Sequence, residues 1–242
     1  MKEVLRLRKA RERRRSGLFV AEGRREVSRA RSAGLEIVAT YFAPELLSWD
    51  DGEEVSARVL AKMAYRAEPE GVLAIVAAPE RALPPDPTLL LVAVGIEKPG
   101  NLGAMARTAD AAGADALLVA DAQADPWNPN AIRASTGAVF TLPTLETTKD
   151  DVAQLSTTKV AAILGATARH TDADYTQPTA FLIGAEDEGL DEPWRALADT
   201  QVEIPMKGTA ADSLNASAAA AVLLFEAVRQ RETEQHAGTV RR

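Results

Sequence analysis

With 242 residues, 46% of them hydrophobic and 26% charged, the chain is long enough for one large domain or two small ones. It has no cysteine and only two histidines, His170 and His236. That excludes disulfides, thiolate-bound zinc, iron–sulfur clusters and a cysteine nucleophile, and no motif supports a serine–histidine triad or a histidine-rich metal site. Net charge is −7, yet residues 1–31 hold 12 Lys and Arg against 4 Asp and Glu, leaving 16 against 31 elsewhere.

No apolar run reaches the ~18 residues of a membrane span. The basic N-terminus lacks the apolar core of a secretion signal, so a cytoplasmic protein with no membrane partner is expected.

The first stretch, "RLRKARERRR", has too few acids of its own to pair its bases. It reads as a surface for a phosphate-bearing partner rather than a solvated helix face laced with ion pairs. Next, "GLFVAEGRREVSRARSAG" has the pattern of strand or turn, then helix. Val27, Ala30 and Ala33 recur at helical spacing and Gly34 stops the run. "EIVATYFA" reads as a strand, "SARVLAKMA" as a short helix and "GVLAIVAA" as a buried strand. The stretch "APERALPPDPTL" then carries four prolines between Pro79 and Pro87. Proline fixes φ and donates no hydrogen bond, so an extended linker is predicted at 79–88, dividing residues 1–78 from 89–242.

The second unit alternates. Strands are predicted at 89–95, 116–121, 159–166, 179–185 and 201–206. Helices are predicted at about 103–112, 129–136, 150–155, 192–198 and 215–232, before a polar tail, "ETEQHAGTVRR", expected to fray. Continuous apolar strands separated by helices imply an α/β fold with a parallel sheet covered on both faces. Such sheets bind ligands beyond the carboxyl ends of their strands, which places the chemistry in the turns. After the first strand, glycines at 95, 100 and 103 fit neither GxGxxG nor GxxxxGK, so a dinucleotide-binding dehydrogenase is not indicated.

Three turns carry a resemblance. "GNLGAMARTADAAGA", "FLIGAEDEGL" and "IPMKGTAADSLNASAAAAVLLFEA" occur in that order, with a looser match at "NPNAIRASTGAVF". Together they resemble the SpoU (TrmH-like) RNA ribose 2′-O-methyltransferases of the SPOUT superfamily, over residues 71–232. The resemblance implies a trefoil knot, a fold feature otherwise avoided, and a homodimer formed through the knotted domain. It also implies S-adenosylmethionine as cofactor, no metal, and knot loops at 164–168, 184–189 and 204–215 that converge on it. The first unit is similar to the ribosomal-protein-like α/β domain that precedes this fold in such enzymes and binds RNA.

The resemblance assigns the site residue by residue. Catalytic candidates are Arg107, Asn101, Glu186, Ser213 and Asn215. Leu164, Gly165, Ala166, Thr167, Gly184, Glu186, Gly189, Ile204, Met206, Ser213 and Leu214 would hold the cofactor. Arg6, Arg8, Lys9, Arg11, Arg13, Arg14, Arg15, Arg24 and Arg133 would contact RNA. An arginine stays protonated at neutral pH, so Arg107 suits holding the ribose and its phosphate and stabilising a developing alkoxide better than acting as a base. Asn101 reads as a helix N-cap or as an orienting group for Arg107, and Ser213 or Asn215 as a cap of the last helix. Many members of that family carry an acid close before the asparagine; this chain departs from that with "EKPGN", where Glu97 would have to take the part. Glu186 is expected to partner the arginine or the cofactor loop.

Ribosomal RNA is the favoured substrate over transfer RNA, since a separate basic unit suits a folded RNA shape. Competing readings are a SPOUT protein that binds RNA without catalysis and an enzyme that methylates a base. The intact polar set speaks against the first, and "SLNAS" against the second. A chain lacking residues 1–78 is expected to keep the cofactor and lose RNA.

Overall fold

The computed structural model describes residues 1–121, 123–210 and 212–239. The basic block forms two short helices, α1 (Lys2–Arg6) and α2 (Ala10–Ser16). They are followed by β1 (Leu18–Glu22), α3 (Arg24–Ser32), β2 (Ile37–Phe42), a two-residue β3 (Glu53–Glu54), α4 (Ala57–Met63) and β4 (Val72–Ala77). The strands lie in the order β1-β4-β2-β3, with β4 antiparallel to both of its neighbours. Successive strand side chains point to opposite faces. Val20, Leu73 and Ile75 therefore pack with Val4, Leu7, Leu60 and Met63 on one face. Phe19, Ala21, Ala74 and Val76 turn the other way, toward α3 and the second unit.

The second unit runs β5 (Leu89–Val94), α5 (Pro99–Ala111), β6 (Ala116–Ala120), α6 (Pro129–Ser135), a 3-10 turn at Ala138–Phe140, β7 (Thr144–Thr147) and α7 (Lys149–Ala153). It continues through β8 (Thr158–Ala162), β9 (Ala168–Arg169), β10 (Thr179–Ile183), α8 (Glu192–Arg195), β11 (Thr200–Glu203) and α9 (Ala216–Thr239). All strands are parallel, in the order β7-β6-β5-β10-β8-β11-β9. Alternate residues of β5 serve opposite layers. Leu89, Leu91 and Ala93 meet Met105 of α5 and Leu223 of α9, while Leu90, Val92 and Val94 meet Val152 and Trp194.

Several element bounds differ from the sequence expectation. The first long helix starts at Pro99, not near Gly103, because proline occupies the first helical position, where no N–H is needed. Asn101 is therefore not the N-cap; Lys98 is, and its carbonyl accepts from the amides of Asn101 and Leu102. The strands predicted to end at 166, 185 and 206 stop at Ala162, Ile183 and Glu203, and the residues beyond form loops at the carboxyl edge of the sheet. The helix expected at 192–198 is a single turn, Glu192–Arg195. β7, a short half-exposed edge strand, and the two-residue β9 were not anticipated. α9 continues to Thr239, past the expected end at 232, so most of the tail expected to fray is helical; residues 240–242 lie outside the described residues.

The two units are joined by more than the proline stretch. The Phe19 ring of β1 stacks on Trp127, with centroids 4.7 Å apart, and on Phe140, at 5.8 Å. Arg81, within the proline stretch, donates to the carbonyls of Phe140 and Thr141. One hydrophobic core thus runs from the small sheet through α3 into α5, α9 and the large sheet. Removal of residues 1–78 would uncover Trp127 and Phe140.

Candidate active site

The loops after β8, β10 and β11 enclose a cavity of about 320 Å³ at the carboxyl edge of the large sheet, within the size range of small-ligand sites. The loop after β10 closes on itself. Ala185 and Gly189 form an antiparallel bridge, and the Gly189 amide donates to the Ala185 carbonyl at 2.9 Å. Gly189 has φ +68°, and a Cβ on Gly184 would lie 2.2 Å from the Gly189 carbonyl carbon. One glycine supplies a left-handed turn and the other a close approach of backbone to backbone. Arg195 fastens the far end of the loop by donating from Nε to the Leu190 carbonyl at 2.6 Å.

Of the expected cofactor residues, Leu164, Gly184, Glu186, Gly189, Ile204, Met206, Ser213 and Leu214 line this cavity. Gly165, Ala166 and Thr167 do not: after Leu164 the chain turns away, with the Gly165 amide donating to Glu203. Arg195, Leu190, Ile163 and Asp212 also line it and were missed. No local pattern marks Arg195, which comes from a single helical turn beyond the recognisable loop.

Asn101, from α5, does not line this cavity but bonds to Glu186 on its wall. Its Nδ2 donates to Glu186 Oε1, and its Oδ1 accepts from Asn215 Nδ2 at 3.2 Å. Asn215 stands directly before α9, where its Oδ1 accepts from the Ser217 amide at 3.0 Å and from the Ser217 hydroxyl at 2.6 Å. It caps the last helix and reaches Asn101 at once. Three chain segments far apart in sequence are thereby joined through Glu186, Asn101 and Asn215.

Arg107 stands apart from this set. Six residues along a helix turn a side chain about 120° and carry it about 9 Å, so Arg107 and Asn101 do not face each other. The guanidinium is exposed, has no hydrogen bond or ion pair with any described residue and does not line the cavity. Glu186 partners Asn101 rather than Arg107. Glu97 faces Gln123, whose amide donates to it at 3.3 Å.

The basic block is more fully paired than its own sequence indicates. Arg6 and Arg15 both bond Glu12, and Arg14 approaches Glu146 of β7 at 3.6 Å. Hydrogen bonds from Arg6 and Arg15 hold the Glu12 carboxyl below its ordinary pKa. Arg8 donates to the carbonyls of Lys62 and Ala64. Arg13 is a correction to the expected RNA contacts. Its side chain is 2% exposed, paired with Asp125 at 2.6 Å, and it donates to the carbonyls of Leu7 and Arg8. It faces the second unit and is closed to solvent. Lys9, Arg11, Arg24 and Arg133 remain exposed.

Fold and site together define an α/β protein with a cavity of small-ligand size in the loops after its parallel strands and a basic-ended unit packed alongside. The chain belongs to the SpoU rRNA methylase family, whose model matches residues 88–225; an MRM3-like substrate binding domain model matches residues 1–74. Among similar proteins, the 23S rRNA (uridine(2479)-2′-O)-methyltransferase of Streptomyces viridochromogenes is 43% identical over 151 residues, 58% of this chain and 52% of that protein. The 23S rRNA (guanosine-2′-O-)-methyltransferase RlmB of Ralstonia nicotianae is 41% identical over 150 residues, 60% of each chain. The chain thus spans about half to two thirds of the length of the curated relatives it matches. Among solved structures, an RNA 2′-O ribose methyltransferase superposes with TM-score 0.82 at 42% identity, covering 95% of both chains. The SpoU methyltransferase AviRb from S. viridochromogenes, in complex with AdoMet, gives TM-score 0.84 at 32% identity over 95% of this chain and 96% of that one.

Proposed function

We propose that this protein is an S-adenosylmethionine-dependent RNA methyltransferase that modifies a ribose 2′-hydroxyl of ribosomal RNA. The observation that carries this reading is the junction of the loop-built cavity with Asn101 and Asn215 through Glu186. A ligand site and a polar substrate-facing set share one carboxylate. The cavity suits the cofactor on its own chemistry. Leu164 is 60% exposed at its mouth and, with Ile183, Met206 and Leu214, offers an apolar wall for a flat heterocycle. Glu186, Asp187, Glu188 and Asp212 face one guanidinium, Arg195, so the field favours a ligand that carries sulfonium and ammonium charges. When bound, S-adenosylmethionine supplies a methyl group that a ribose oxygen can take directly, a displacement that requires no metal.

The chain's own residues then have separable tasks. Glu186 fixes the Asn101 amide, and Asn101 with Asn215 presents a rigid polar edge beside the cavity. Ser213 adds a hydroxyl on the same rim. Arg107, unpaired and exposed, holds the RNA phosphate and stabilises the developing alkoxide from outside the cavity, while the proton leaves to water or a phosphate oxygen.

We also infer that residues 1–78 serve as the RNA-binding unit, 79–88 as the connection and 89–242 as the methyltransferase unit, acting in the cytoplasm. The insertion of β10 between β5 and β8 and the packing of α9 on α5 support a knotted path through the loops. Phe225, 47% exposed on α9 among small residues, supports a homodimer through that helix. Among the described residues no helix is long and apolar enough to cross a membrane.

The test is methyl transfer from radiolabelled S-adenosylmethionine to ribosomal and transfer RNA, followed by nucleoside analysis. Label in a 2′-O-methylnucleoside of ribosomal RNA is expected. Arg107→Ala should lower the rate about 10²–10³-fold, the scale for removing one transition-state donor, with cofactor affinity unchanged. Label in a base would overturn the reading, as would cofactor binding without transfer to any RNA.

A further inference from the structure

A narrow groove, with enclosed room of only about 10 Å³ and so for no more than one water, lies at the seam between the two units, away from the cofactor cavity. Its floor and walls include Tyr65 and Arg66 from the loop after α4, and Pro129, Asn130, Ile132 and Arg133 from α6. Tyr65 is 44% exposed, although a large aromatic ring at a domain seam gains by burial. Its backbone is nevertheless held on both sides. The buried Glu22 carboxylate accepts from the Tyr65 amide at 2.7 Å and from the Arg66 amide at 3.2 Å. Arg8 donates to the Ala64 carbonyl at 2.5 Å. Arg66 in turn reaches the buried Glu26 and pairs with Glu70, while Arg25 donates to Glu26 at 2.7 Å. Two buried carboxylates and three guanidinium groups thus hold the loop that displays one open ring.

The opposite wall comes from the second unit. Arg133 donates to Asn130 Oδ1 at 3.1 Å, which orients the Asn130 amide and leaves its Nδ2 without a partner among the described residues. The charges of Glu22, Glu26 and Glu70 are met by main-chain amides, Arg25 and Arg66. The groove therefore offers little net field, unlike a phosphate track. It offers an aromatic face beside an amide and a guanidinium, the groups that stack on a nucleobase and read its edge.

We propose that an unpaired base of the RNA substrate lies over this groove rather than in it, stacked on the exposed Tyr65 ring with its edge toward Asn130 and Arg133, and so sets where the RNA lies across both units. This rests on the RNA-methyltransferase reading above. The base lands on one unit and its edge on the other, so recognition depends on the rigid seam as well as on the loop.

The test uses the full chain and two probes, a short single-stranded RNA of mixed sequence and the same strand as a duplex, with binding read by fluorescence anisotropy. Tyr65→Ala should weaken single-strand binding about tenfold, the scale of losing one base stack. Tyr65→Phe should match wild type, and duplex binding, cofactor affinity and melting temperature should not change in either variant. Equal single-strand binding by Tyr65→Ala would overturn the proposal. So would an equal loss in Tyr65→Phe, or a parallel loss on duplex. Methyl transfer to ribosomal RNA by the same proteins separates the two readings. If wild type transfers and Tyr65→Ala is indistinguishable from it in KM, only the groove falls; if wild type transfers to no RNA, the enzyme reading falls with it.

Discussion

Gly184→Ala is expected to raise the dissociation constant for S-adenosylmethionine by roughly 5- to 150-fold and to lower methyl transfer in step. A Cβ at this position would lie 2.2 Å from the Gly189 carbonyl carbon, 2.4 Å from its oxygen and 2.4 Å from the Leu190 nitrogen. All three are backbone atoms, and none can rotate aside as a side chain would. The loop must open, and overpacking of this kind costs about 1–3 kcal/mol, which is about 5- to 150-fold in affinity. Gly189→Ala provides the comparison. Nothing lies within 4 Å of its Cβ, so only the left-handed φ is penalised, by about 1–2 kcal/mol. Calorimetric titration of both variants checks the order. Gly184→Ala binding within twofold of wild type would show that the loop's self-closure does not shape the site.

Asp125→Ala should be the most destabilising single change at the seam. It leaves the Arg13 guanidinium, 2% exposed, without a counter-charge, and it removes the acceptor for the Trp127 amide at 2.8 Å. Breaking a buried pair from one side costs about 3–5 kcal/mol, a fall in melting temperature on the order of 10 °C for a chain of this size. The double variant Arg13→Met/Asp125→Leu should recover most of that loss, because the cost lies in the stranded charge rather than in the pair itself. Thermal melts of the three proteins decide it. A single variant that melts like wild type would mean that water reaches Arg13.

The centre of the parallel sheet was legible because β5, β6 and β10 are nearly unbroken apolar runs, unlike the missed edge strands β7 and β9, and the three loops because their glycines and polar residues sit just beyond strands. What escaped detection came from contacts between distant segments. The basic block shows only Glu3 and Glu12 nearby, so its bases look unpaired; the partners of Arg13 and Arg14 are Asp125 and Glu146, more than a hundred residues on. Four prolines look like a separator, yet stacking of Phe19 on Trp127 and Phe140 closes the two units together. Asn101 and Arg107 look like a pair because six residues is a short interval on paper. Helical rotation sends them in different directions, and Glu186 and Asn215 are the neighbours that Asn101 meets.

The place of β10 also bears on how the molecule is made. Leu89 at the start of β5 pairs with Thr179 at the start of β10, a separation of roughly 90 residues. At ordinary synthesis rates that is about 5–20 seconds. Throughout that interval β5 has one edge without its partner, and its apolar residues wait on chain that does not yet exist. Pairings this distant fold slowly and expose sticky edges while they do. The cavity, assembled from loops after β8, β10 and β11 and reaching Ala219 of α9, comes into being only after that wait, when the chain has passed β11.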